Sequence, residues 1–241
     1  RYLASRPGRI TATVVDLTTG RAFRYRRGLR LPTASTIKVQ ILMGVLLTTP
    51  WERLSPLARD RAERMIRYSD NHAADRLWER LGHSAGLRRA SKRFGLKHTT
   101  SIDARCIDIY CWGIARTSAD DQVRLMRQLI DDDSPLPRED RRQVLRLMRQ
   151  VVPAQRWGVS AGACRGDTVA LKNGWLHHVS NRLWVIDTIG LIAGRGHVYA
   201  VAVLSEDNPT MSSGIARVEG TVKRIMKAFR GPQGCTARYR T

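Results

Sequence analysis

The chain lacks any apolar run long enough to cross a bilayer: its longest, Val39 to Leu47, is interrupted by Gln40 and falls far short of the roughly 20 residues a spanning helix needs. That stretch predicts a buried core helix instead. The four cysteines, Cys106, Cys111, Cys164 and Cys235, include no CxxC pair and no histidine at zinc spacing, which removes the zinc-module readings. There is no internal repeat and no low-complexity segment, so neither a solenoid nor a disordered tail is expected. Acidic residues are few, 21 Asp plus Glu against 42 Lys plus Arg, for a formal charge of +21. Such an excess fits a polyanion binder, yet the arginines scatter from Arg1 to Arg240 and form no single tail or stripe. Nucleic acid is therefore not the expected partner.

What is present is a chain of 241 residues with 42% apolar content, enough for one sizeable domain or two interdigitated lobes. Ile10 to Asp16 and Arg21 to Arg26 read as an antiparallel hairpin around a turn at Leu17 to Gly20. Helices are predicted from Ser35 to Leu47, from Pro56 to Leu81 with a polar break at Tyr68-Ser69-Asp70-Asn71, around Leu87 to Phe94, from Ser118 to Ile130 and from Arg138 to Val151. Between them Lys97 to Gly113 is irregular, and a loop of that length in a compact domain is usually functional or pinned. Strands follow at Asp167 to Lys172, Leu183 to Ala193 and His197 to Leu204, then a helix from Ser213 to Phe229. This order predicts an α/β fold of the α+β type: one antiparallel sheet drawn from both chain ends and flanked by helices, with an all-helical lobe inserted. The expected lobes are residues 1–31 plus 155–241, and 32–154.

Three polar clusters carry chemistry. Ser35 and Lys38 lie on one face of a first helical turn, where an amine can take the serine proton and the helix N-terminus favours developing negative charge. Ser69-Asp70-Asn71 offers a second hydroxyl to pass a proton to a leaving nitrogen, and a side-chain amide to hold a carbonyl. Lys172-Asn173-Gly174, read at a strand end, supplies a positive charge for a substrate carboxylate and a glycine for close backbone approach.

Taken in this order, the three clusters resemble the serine β-lactamase and penicillin-binding superfamily, in particular its class A β-lactamase branch. The resemblance implies that Ser35 is acylated, Lys38 activates it, Ser69 relays a proton, Asn71 contacts a substrate amide and Lys172 pairs with a carboxylate. It also implies an oxyanion hole from the backbone N–H groups of Ser35 and Trp175, with Asn173 and Gly174 lining the substrate. Two features depart from the family. Asn173 stands where it usually has threonine or serine, giving an amide contact in place of a hydroxyl. No glutamate occurs between Glu79 and Glu139, so the usual deacylating residue is missing; Asp103 is nearest to its place and one methylene shorter. Acylation is expected to be intact and deacylation to be slow or differently arranged.

The expected substrate is a β-lactam, a related amide or ester, or a peptidoglycan-like peptide, selected by the pocket around Trp112, Trp175 and His177. No metal or cofactor is expected, since His177-His178 has no third ligand at a telling distance. An anionic envelope polymer is the alternative partner, and the chain is expected to be monomeric. Four cysteines allow three pairings; the pairing chosen joins Cys106 to Cys111 and Cys164 to Cys235. The count fits two disulfides in an exported protein and also four buried thiols in a cytosolic one; with a start that lacks Met and enters strand-like residues at once, the expectation is a secreted or envelope-associated protein whose leader has been removed. Gly158-Val159-Ser160-Ala161-Gly162 matches G-x-S-x-G literally but lacks the strand before and helix after that a nucleophile elbow requires. The arginines at 59, 61, 64 and 67, and at 138, 142, 146 and 149, read as solvated helix faces.

Overall fold

The computed structural model describes residues 8–101, 110–231 and 234–235. A five-stranded antiparallel sheet is built from β1 (Arg9–Asp16), β2 (Ala22–Tyr25), β5 (Thr168–His177), β6 (Trp184–Gly194) and β7 (His197–Asn208), in the order β2-β1-β7-β6-β5. Strands from both chain ends meet at the β1–β7 pair, where Val14 stands opposite Val201. A second, two-stranded sheet joins β3 (Leu31–Pro32) to β4 (Arg116–Thr117), a pairing too short to leave a periodic signal.

Side-chain alternation along the strands divides the core in two. Val201 and Val203 of β7 face α7 (Met211–Arg230) together with Val218, Val222 and Ile225. Ala200, Ala202 and Leu204 face the helical lobe instead. That lobe comprises α1 (Ile37–Leu46), α2 (Pro56–Glu63), α3 (Asn71–Leu81), α4 (His83–Arg93), α5 (Ala119–Arg127) and α6 (Arg138–Arg149). α1 is apolar on every side and all ten of its residues are buried, as expected of a central core helix. Its two polar residues, Lys38 and Gln40, are the exceptions that need a reason. α7 starts at a reciprocal cap between Thr210 and Ser213, which satisfies two of its free backbone N–H groups.

The strand carrying Lys172-Asn173-Gly174 does not stop there. β5 continues to His177, so the triplet lies in mid-strand, on the sheet edge beside the helical lobe. Asn-Gly reads as a turn from sequence, but here pairing with β6 overrides that tendency.

Candidate active site

Ser35 sits in a 3-10 turn, Ala34–Thr36, that delivers the chain into α1. Ala34 has φ of 41°, a left-handed conformation that costs a non-glycine residue about 1–3 kcal/mol unless its surroundings hold it. Thr33 O accepts from Thr36 N at 3.0 Å and from Thr36 Oγ1 at 2.6 Å, closing the turn. Ser35 is left half-buried, with Lys38 one helical turn on. β5 passes so near that a β-carbon at Gly174 would stand 2.9 Å from Ser35 N and 3.0 Å from both Ala34 Cβ and Thr33 O. The glycine is needed for that approach.

Ser69 sits between two lysines. It ends a π-helical turn, Arg64–Tyr68, at φ of 60°, and Asp70 then caps α3 by accepting from Ala73 N at 2.9 Å. Lys38 Nζ donates to Ser69 O at 2.7 Å, to Ser69 Oγ at 3.2 Å and to Asn71 Oδ1 at 2.7 Å. Lys172 Nζ donates to the same Ser69 Oγ at 2.9 Å and to Asn173 O at 3.0 Å. Both lysines are fully buried. Burial pulls the Lys38 amine down to about 7, opposed by the charges of Asp70 and Asp75. Lys172 is driven well below its ordinary range by burial and then by the charge of Lys38. A hydroxyl held by two amines that favour the neutral form is equipped to move protons.

Ser35, Lys38, Ser69, Asn71, Lys172 and Gly174 thus converge where α1, α3 and β5 meet. Trp175 follows on β5, half-buried, its ring centroid 6.0 Å from Lys172 Nζ and 6.4 Å from that of Trp157. Asn173 is placed differently from expectation. It points to the other face of the sheet, donating from Nδ2 to Gln155 O at 2.8 Å and to Trp157 O at 3.0 Å, so its amide ties down the 153–157 segment. Asp103 and Cys106 lie outside the described residues. Cys164 is bonded to Cys235.

The weaker matches fall elsewhere. Ser160 is buried in a 3-10 turn and its hydroxyl donates to Arg156 O. His177 bonds Arg182 O at 3.0 Å and His178 bonds Glu206 at 3.1 Å. Of the eight helix-face arginines, Arg64, Arg67, Arg142 and Arg146 have a carboxylate within 4.0 Å, so half of that charge is locally paired.

Asp75 and Asp187 carry no role in the sequence reading, and Trp112 only that of a pocket residue. Trp112 lies across Lys38, and its indole N–H donates to Asp75 Oδ1 at 2.8 Å. Neither position stands out by pattern, because the link joins an irregular loop to a helix far away in the chain. Asp187, opposite Gly174 across the β5–β6 pair, is fully buried with Oδ1 accepting from Ser205 N at 3.0 Å and Oδ2 unpartnered. Burial raises its carboxyl well above the usual range. Its signal is the one charged residue in the strand Trp184–Gly194.

Comparison with known proteins places this geometry in a lineage. Residues 52–227 match the model of the "Beta-lactamase enzyme family", a span that includes Ser69 and Lys172 and begins after Ser35 and Lys38. Proteins of Mycobacterium tuberculosis and Mycobacterium bovis named as lipoprotein LppW are 27% identical over 192 residues, which cover 76% of this chain and 59% of theirs; the chain thus matches less than two thirds of those relatives' length. Among solved structures, a PBP-A mutant described as an acyl-enzyme complex with penicillin G superposes with a TM-score of 0.81 at 23% identity, over 95% of this chain and 93% of that one. A class A β-lactamase from Mycobacterium abscessus superposes with a TM-score of 0.79 at 19% identity, over 95% and 97%. These likenesses establish the β-lactamase fold, and with the family match extending from the helical lobe to the last helix, the chain belongs to the beta-lactamase enzyme family.

Proposed function

We propose that the protein is a serine hydrolase that forms an acyl-enzyme on Ser35 with a β-lactam or a related amide or ester. The observation that carries this reading is the Lys38–Ser69–Lys172 bridge beside the Ser35 turn. Lys38, neutral above about pH 7, takes the Ser35 proton as Oγ attacks the substrate carbonyl. The C–N bond then breaks, and Ser69 passes its proton to the leaving nitrogen while drawing from Lys38, which donates to its hydroxyl oxygen, the proton taken from Ser35. Backbone N–H groups of Ser35 and Trp175 hold the oxyanion, and a substrate carboxylate arriving at Lys172 supplies the counter-charge that draws its buried amine back to the ammonium form. β5 is the sheet edge, so an extended peptide substrate can lie along it.

Deacylation is slow in this reading, because no glutamate stands in the loop that should supply the base, and the shorter Asp103 must serve or nothing does. A peptidoglycan-like peptide is then as fitting a substrate as a β-lactam. The lipoprotein name of the mycobacterial relatives favours work at the cell envelope. Among the described residues no helix is long and apolar enough to cross a membrane. A non-catalytic module holding an anionic polymer is the second reading, favoured by the +21 charge; it predicts steeply salt-dependent binding indifferent to Ser35→Ala.

Intact mass after incubation with penicillin G tests the proposal. An adduct on the wild type that is absent from Ser35→Ala is expected. No adduct on the wild type, or one that survives Ser35→Ala, rejects it.

A further inference from the structure

Trp112 touches three parts of the site at once. Its ring centroid is 4.7 Å from Lys38 Nζ. Its indole N–H is fixed on α3 by Asp75. Its backbone carbonyl accepts from Thr33 Oγ1 at 3.3 Å, and Thr33 N donates to Ala115 O at 2.7 Å, so this segment is also fastened two residues before Ser35. The ring is 3% exposed, with the half-exposed Tyr110 packed against it at 5.3 Å between centroids.

The amine beneath has its own requirements. Three acceptors, Ser69 O, Ser69 Oγ and Asn71 Oδ1, surround Lys38 and match the three N–H bonds of an ammonium. A further side open to water would solvate the charged form and favour it, whereas an aromatic face excludes water and fixes the amine in one place. We propose that Trp112, anchored by Asp75, is a positioning residue that covers Lys38 and keeps it dry and oriented for proton transfer with Ser35. This rests on the reading of Lys38 as the activating base. A loop from which a deacylating group was expected then serves acylation.

The charged groups bearing on Lys38 among the described residues are Asp70 and Asp75 from the start of α3 and Lys172 from β5. Arg64 is paired with Asp70. α4 and α6, the other helices against α1, contribute apolar residues such as Ala90 and Leu147 to the shared core. Burial lowers the amine and outweighs the two carboxylates. Removing the ring therefore moves the amine upward, although the lost cation–π attraction alone would move it downward.

The test is a titration of the Lys38 side chain by NMR in full-length protein carrying Ser35→Ala, alongside the pH profile of acylation by a chromogenic β-lactam in Ser35-intact protein. Trp112→Ala is expected to raise the Lys38 midpoint by about one unit or more and to slow acylation below that midpoint by about tenfold per unit. Trp112→Phe, which keeps a ring, falls nearer to wild type. Asp75→Asn keeps an acceptor for the indole but removes a charge, and its midpoint falls below wild type. An unmoved or lowered midpoint in Trp112→Ala overturns the role. So does a rise in Asp75→Asn equal to that of Trp112→Ala, since any disturbance would then suffice. If Trp112→Ala does not fold, Trp112→Phe decides: its smaller ring covers less of the amine and cannot reach Asp75, so a rise of less than one unit is expected, and an unmoved or lowered midpoint overturns the role. Should the wild type form no acyl adduct, the functional reading fails while the titration still decides the placement of Trp112.

Discussion

Lys38 shows how a single residue can run against its helix. An amine brought from 10.5 to about 7 gives up roughly 5 kcal/mol of preference for its charged form. The same helix buries seven apolar side chains, Ile37, Val39, Ile41, Leu42, Met43, Val45 and Leu46, each stabilising by roughly 1.5–3 kcal/mol, so packing wins and the lysine stays inside. The sign of the linkage follows. Between about pH 7 and 10.5 the folded state binds fewer protons at Lys38 than the unfolded chain, so stability rises with pH across that window. Relative to Lys38→Met, the wild type is expected to gain up to about 1.4 kcal/mol per pH unit there, measured by urea denaturation. A flat difference would mean that the amine keeps its ordinary affinity for protons. Ser35, Lys38, Ser69, Asn71 and Lys172 were legible in sequence because each lies in a short, ordered cluster of distinctive residue types. The Trp112–Asp75 link over Lys38 was not, although Trp112 was expected in the pocket, because a contact between a loop and a helix leaves no local period.

At the scale of elements, the site depends on one close approach, of β5 to the turn that carries Ser35. Gly174→Ala places a methyl 2.9 Å from Ser35 N, with backbone as well as side chain in its way, and the sheet-paired strand cannot retreat easily. A displacement of about 1 Å at Ser35, the proposed nucleophile, is enough to lose on the order of a hundredfold in rate. Acylation of Gly174→Ala by a chromogenic β-lactam is expected to fall by about that much while circular dichroism stays native; an unchanged rate would show that the turn yields. Helices and strands were mostly found where periodicity put them: α5, α6, β6 and α7 lie within a few residues of expectation. From sequence β5 ends at Lys172, because Asn-Gly has turn chemistry. In the fold the asparagine instead spends its amide on the Gln155 and Trp157 carbonyls, and the glycine is required by a neighbour rather than by its own backbone.

For the whole molecule, the sheet closes only when β1 and β7, from opposite chain ends, meet; separately, the Cys164–Cys235 bond ties the segment just after α7 to the segment just before β5, across 71 residues. In the chain-entropy model a loop of that size is worth about 4 kcal/mol. Cys235→Ser is therefore expected to lower Tm by roughly 10 °C in a thermal melt and to leave acylation of Ser35 in place at 25 °C; an unchanged Tm would remove the bond from the account of stability. The charge of +21 reads differently at this scale as well, since arginines of the π-helical turn and α6 share carboxylates such as Glu63. By itself the sequence determined the order of the elements and the antiparallel α+β architecture, and it singled out the serines and lysines proposed to act, because period and residue chemistry are local properties. Only the tertiary structure decided which groups surround Lys38, that Ser69 bridges two lysines, and that Asn173 turns away from them. Those outcomes depend on burial and on distances between segments far apart in the chain, where desolvation sets the protonation of an amine and no short stretch of sequence records it.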